Sequence, residues 1–217
     1  AMVKLFDNKK AGIDPLKYRN TLRKALETTM SVCIASTSAL VMNQLTAKIR
    51  AERMAQYNEN SLIAVQGVGE IRTFLFKVTK HLEDKKMSFL DARAPIKYTM
   101  SRCKAGNCEH QAFYLAASLR QQKIPAWIYD IEDIGHTVVI TKDFLLDPWI
   151  GDIFPLAGTN FDKFYNSSLN MCASWLNQLL ADKQFVFHER LNKETLVQHF
   201  VEQNEEKSIK VGCCALF

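Results

Sequence analysis

The chain has 217 residues, of which 47% are hydrophobic and 24% charged, and it carries a formal net charge of +5. That length predicts one domain around a single substantial core, and so mild a basic excess falls short of the dense basic patch that marks nucleic-acid binding. Six cysteines at positions 33, 103, 108, 172, 213 and 214 follow no disulfide-scaffold spacing, and a chain of this size needs no such staples, so a reducing compartment fits.

The first residues lack the charged start, apolar stretch and small-residue cleavage site of a Sec-type signal peptide. Asp14-Pro15 is a good helix start, since Asp caps and Pro is tolerated at the first helical position. Leu16, Leu22, Leu26, Met30, Ile34, Val41, Leu45 and Ile49 then follow near-helical spacing, which predicts one long or broken helix to about Tyr57. The apolar run from Met30 to Met42 is interrupted by serine and threonine and is too short to span a bilayer. A second apolar stretch, Leu62 to Leu82, sets Ile71, Phe74, Leu75 and Val78 on a buried face, although Gly67 and Gly69 weaken its start.

Asn107 to Gln121 reads as a third helix with Cys108 in its first turn, ended by Lys123-Ile124-Pro125. Ala126 to Ile131, Thr137 to Ile140 and Phe144 to Asp147 are rich in β-branched and aromatic residues, which predicts an antiparallel sheet. Beyond Pro155, helices are expected near Leu169 to Leu180 and Asn192 to Gln203, with a short strand at Phe185-Val186-Phe187 between them. These elements predict an α+β fold. A single domain is expected over residues 1–206, with a helical N-terminal layer at 14–82 and a core at 98–190, followed by a tail at 207–217.

Cys108, His136 and Asp147 are the candidate chemistry. A thiolate is the nucleophile of cysteine catalysis, and a helix start favours it through unpaired N–H groups and the helix dipole. The Cys108 N–H is also placed to serve an oxyanion hole. His136 opens one strand and Asp147 closes the next, so a hairpin brings them together, with Asp147 orienting the imidazole that serves the thiol. Taken singly, each has a bland explanation: a buried thiol, a strand-end histidine, a turn-starting aspartate. Helix start, strand start and strand end are met together, which reverses those odds.

Gly106-Asn107-Cys108 opening a helix, Lys123-Ile124-Pro125 stepping into the sheet, His136 at a strand start and Asp147-Pro148 closing the next strand resemble the transglutaminase-like branch of papain-like cysteine enzymes. The resemblance covers residues 105 to 150 and implies a papain-like/transglutaminase-like core, with the flanking helices as additions. His136-Thr137-Val138 stands where that family commonly has His-Ala-Trp, and Cys and His lie only 28 residues apart (136 − 108). Together with Asp147-Pro148-Trp149, these features look more like bacterial toxin and effector domains that deamidate a glutamine of a host protein. The resemblance then implies attack by Cys108 on a side-chain carboxamide, loss of ammonia through His136, and hydrolysis of the thioester to leave Glu. By the same resemblance Gln66 is a possible oxyanion donor.

A peptidase with the same triad is the nearest alternative, and a catalytically silent, prenylated host-binding module is the alternative of a different class. Cys214-Ala215-Leu216-Phe217 fits a C-a-a-X lipidation signal, with Cys213 as a second lipidation site. The expected partners are a host protein substrate, a host prenyltransferase and a membrane reached through the lipidated tail. The expected place is the host cytoplasm, after secretion by a bacterium without a Sec signal. No cofactor is expected and no metal, because Cys103, Cys108 and His110 lack a structural-zinc spacing. His110 is expected at the surface or facing substrate, and Trp149 either shields the site from water or serves as a core aromatic.

Overall fold

A computed structural model describes residues 15–37, 47–84, 89–165 and 170–180. Pro15 opens α1 (Pro15–Val32), as its fixed φ suits a first helical position. The helical N-terminal layer is broken, with α2 at Ala47–Glu59 and α3 at Ser61–Glu83. α4 (Phe89–Cys103) carries Pro95 in its interior and was not anticipated from the sequence. α5 (Cys108–Gln121) begins directly after Asn107, as expected.

The strands are β1 (Trp127–Ile131), β2 (His136–Ile140), β3 (Phe144–Asp147), β4 (Asp152–Pro155) and β5 (Met171–Ala173), with two short helices, α6 (Asp162–Tyr165) and α7 (Asn177–Leu180). They form one antiparallel sheet in the order β4-β3-β2-β1-β5. The expected helix over 169–180 is corrected: its first part is the edge strand β5, and only the last turn is helical. A three-residue strand gives too short a pattern to outvote the helical spacing of Leu176, Leu179 and Leu180. The expected strand at 185–187, the helix at 192–203 and the lipidation cysteines Cys213 and Cys214 lie outside the described residues.

Because side chains alternate along a strand, the sheet separates two apolar clusters. Ile128, Val139, Leu146 and Ile153 face the helices, packing with Leu22 and Leu26 of α1, Ile71 of α3, Met100 of α4 and Leu115 and Leu119 of α5. Tyr129, Ile131, Val138, Ile140 and Leu145 face the other way, into a cluster that holds Trp149, Phe161, Tyr165 and Cys108. α5 thus lies with its body against one face of the sheet while its first residue belongs to the cluster on the other.

A third, small cluster of Ala35, Ala64, Val68 and Ala105 ties the N-terminal helices to the segment before α5. There α3 runs unbroken through Gly67, whose missing side chain is a packing requirement: a Cβ at that position would lie 2.7 Å from Ala105 Cβ and 2.9 Å from the Cys103 carbonyl oxygen. No helix among the described residues is long and apolar enough to cross a membrane.

Candidate active site

The strand register brings His136 and Asp147 to one face. Val139 pairs with Leu146, so one step along the ladder Asp147 stands beside Val138 and diagonal to His136, a separation that long side chains bridge. His136 Nε2 lies 2.5 Å from Asp147 Oδ2, and both residues are fully buried. Gly135 precedes His136 at φ +59° and ends the 3-10 turn Glu132–Ile134. Nothing lies within 4 Å of a Cβ built there, so the glycine serves the left-handed backbone and no close approach.

The Asp147 carboxylate is saturated with donors. Oδ1 accepts the N–H groups of Trp149 and Ile150 at 2.9 and 3.0 Å, and Oδ2 also accepts the Tyr165 hydroxyl at 3.0 Å. Burial alone would raise its pKa, but the charge and hydrogen bond of His136, with the Ile150 N–H and Tyr165, hold it below the ordinary carboxylate value. Burial would likewise depress His136, and the charge and hydrogen bond of Asp147, joined by Cys108, overcome that and raise the imidazole to about 10. The two are an ion pair.

Cys108 completes the set. Only 7% exposed, its thiol would be pushed up by burial, yet the hydrogen bond and charge of His136 and the backbone N–H of Thr137 bring it below the ordinary thiol value. With Nε2 committed to Asp147, Nδ1 is the nitrogen left to face the sulfur. Thiol and ring couple through a hydrogen bond and through charge. The arrangement stabilises a thiolate beside an imidazolium, which is the form that attacks a carbonyl carbon.

The nucleophile's helix start is held from afar. Asn107 Oδ1 accepts the Thr37 N–H at 3.0 Å and the hydroxyls of Thr37 and Ser36 at 2.9 and 3.2 Å. Ile34 N–H donates to the Lys104 carbonyl and Gly106 N–H to that of Ala35, a parallel bridge that splints the loop before Cys108. Trp149 spans the two halves: its ring meets His136 edge-on with centroids 5.9 Å apart, and its Nε1–H donates to Ser36 Oγ at 3.3 Å. Trp149 is thus both core aromatic and a wall against water. A cavity of about 50 Å³ beside it is lined by Ser36, Gln56, Gln111 and Pro148 among others.

No protein-family model matches the chain, and no curated protein matches it.

One sequence expectation needs correction. His110 does not face solvent or substrate: it is 1% exposed, its Nδ1 accepts the Asn107 N–H at 3.1 Å, and burial together with the charge of Arg72 lowers its pKa to about 3. It is a neutral ring that caps its own helix. Gln66 lies on the exposed side of α3, because Ala64, Val68 and Ile71 take the buried phase of that helix. The residues that sequence reasoning missed are Ser36, Thr37 and Tyr165. None carries a local signal, since Ser36 and Thr37 lie 71 and 70 residues from Asn107, and Tyr165 lies 18 residues from Asp147.

Proposed function

We propose that this chain is a cysteine-dependent amidohydrolase that deamidates a glutamine side chain of a host protein, on a transglutaminase-like variant of the papain-like core. The observation that carries the proposal is the Cys108–His136–Asp147 set, with the thiol at a helix start and the imidazole locked by a buried carboxylate. The fold assignment is supported by the order of these elements: nucleophile on α5, base opening β2, orienter closing β3.

Chemically, the Cys108 thiolate adds to the carboxamide carbon, and the Cys108 N–H at the start of α5 serves as a backbone donor for the oxyanion. The C–N bond then breaks as His136, as imidazolium, gives its proton to the departing amine, which leaves as ammonia. Neutral His136 next takes a proton from water, whose oxygen attacks the thioester. The C–S bond breaks, glutamate leaves, and the thiolate–imidazolium pair is restored. Asp147 keeps the ring in one tautomer throughout and stays ionised.

The near-burial of Cys108 and full burial of His136 favour deamidation over peptide-bond cleavage. A slim side-chain carboxamide reaches such a thiol more readily than an extended main chain flanked by side chains. Incubation with host-cell lysate, with Cys108→Ala as control, tests the reading by peptide mass spectrometry. Conversion of specific glutamines to glutamate that vanishes in the variant supports it, with His136→Ala slowing the conversion by about 10²–10⁴-fold. New peptide termini dependent on Cys108 would make the enzyme a peptidase, and identical peptide maps would leave a non-catalytic binding module.

A further inference from the structure

We propose that Tyr165 is a positioning residue of this site: its hydroxyl fixes Oδ2 of Asp147 so that the carboxylate holds the His136 ring towards Cys108. The inference rests on the Cys108–His136–Asp147 reading above. A carboxylate offers about four acceptor positions, and here four donors use them: Trp149 N–H and Ile150 N–H on Oδ1, His136 and the Tyr165 hydroxyl on Oδ2. The two N–H groups come from the turn that Asp147 itself begins. Tyr165 comes from the end of α6, 18 residues on, and besides His136 it is the one side chain bonded to this carboxylate among the described residues.

The ring of Tyr165 is 0% exposed and packs among aromatics, 6.3 Å from the Phe154 centroid and 6.0 Å from that of His136. A phenylalanine would satisfy those apolar contacts as well. What the hydroxyl adds is one hydrogen bond, and a buried hydroxyl without a partner would be a cost, so the bond to Asp147 accounts for the tyrosine. Without that donor the carboxylate is less stabilised as an anion and freer to turn. The imidazole then loses part of its counter-charge and orientation, and the thiolate loses part of its partner.

The test reads the thiol directly and needs no substrate. The rate at which iodoacetamide alkylates Cys108 is followed against pH by mass spectrometry of the Cys108 peptide, in the wild type and in Tyr165→Phe. In the wild type the acid limb of the profile should lie below the ordinary thiol value of about 8.5. In Tyr165→Phe it should move up by about one pH unit, an alkylation about tenfold slower on the acid side, with an unchanged alkaline plateau. A folded variant whose limb is unmoved or moves down overturns the proposal. If Tyr165→Phe does not fold, 3-fluorotyrosine at position 165 keeps the shape and strengthens the donor. It should move the limb to lower pH, and an unmoved limb overturns the proposal too. A wild-type thiol that titrates at its ordinary value would instead bring down the Cys–His–Asp reading, and the role of Tyr165 with it; the wild-type curve alone decides that.

Discussion

Taking the charges of His136 and Asp147 out of water costs several kcal/mol per ion unless geometry and further hydrogen bonds offset it. Here the offset is the short Nε2 to Oδ2 contact and the three other donors on the carboxylate. Protonation then links the pair to stability. Asp147, held below the usual carboxylate range, contributes stability that is present above about pH 3.9 and is lost as pH falls through its lower folded value. His136, raised to about 10, contributes stability that is full below about pH 6.5 and is lost as pH rises through its folded value. The pair therefore stabilises most between about pH 4 and 6.5. Urea unfolding in a Cys108→Ala background, which removes the thiol's own titration, should show stability declining above about pH 6.5, with an end point below about 10 because Cys108 no longer helps to raise the imidazole. Asp147→Asn in that background should cost about 3–5 kcal/mol near pH 6 and flatten the decline. An equally steep decline in both proteins would show that the pair is not its source.

At the scale of elements, α3 carries a matched pair of glycines that separates packing from propensity. A Cβ on Gly67 meets Ala105 and the Cys103 carbonyl, whereas a Cβ on Gly69 meets nothing within 4 Å. Gly67→Ala should destabilise by about 1–3 kcal/mol through forced overpacking. Gly69→Ala should stabilise by about 0.5–1 kcal/mol, because it only removes glycine's entropy cost within a helix. Thermal or urea unfolding of the two variants checks both signs, and a stable Gly67→Ala would mean that α3 and the 103–105 segment approach less closely. The same contrast explains what could be read from the sequence. The gradual weakening that glycine brings to a helix is a local property and was visible; the close approach that demands Gly67 belongs to another segment and was not. α5 and the β1–β2–β3 meander were legible because helical spacing and β-branched runs are local signals. α4 escaped because Pro95 interrupts its pattern, and β5 because three residues are too few to show a period.

For the whole molecule, the sheet acts as a partition between a helix-facing core and the face that holds the site. Stability and reactivity should therefore be separable. Leu26 on α1 is fully buried in the helix-facing cluster, so Leu26→Ala should cost about 2–5 kcal/mol of unfolding free energy. Below its lowered unfolding midpoint, the pH profile of Cys108 alkylation should stay where the wild type has it. A shifted profile would show that the cluster shapes the site as well as supporting it. The candidate triad was legible because order along the chain maps simply onto a helix start and a hairpin. Its surroundings were not, since His110 turns inward to accept the Asn107 N–H and Tyr165 arrives from beyond β4.

The bonds from Ser36 and Thr37 to Asn107 close spans of 71 and 70 residues, and that from Trp149 to Ser36 closes 113. During synthesis the segment around Ser36 leaves the ribosome long before its partners exist, and Cys108 emerges ahead of both His136 and Asp147. Until those arrive, the nascent thiol is an ordinary one, with a pKa near ~8.5 and little thiolate at neutral pH. On the proposed reading its activation waits until both His136 and Asp147 have emerged, so a growing chain carries only an ordinary thiol at Cys108 until then.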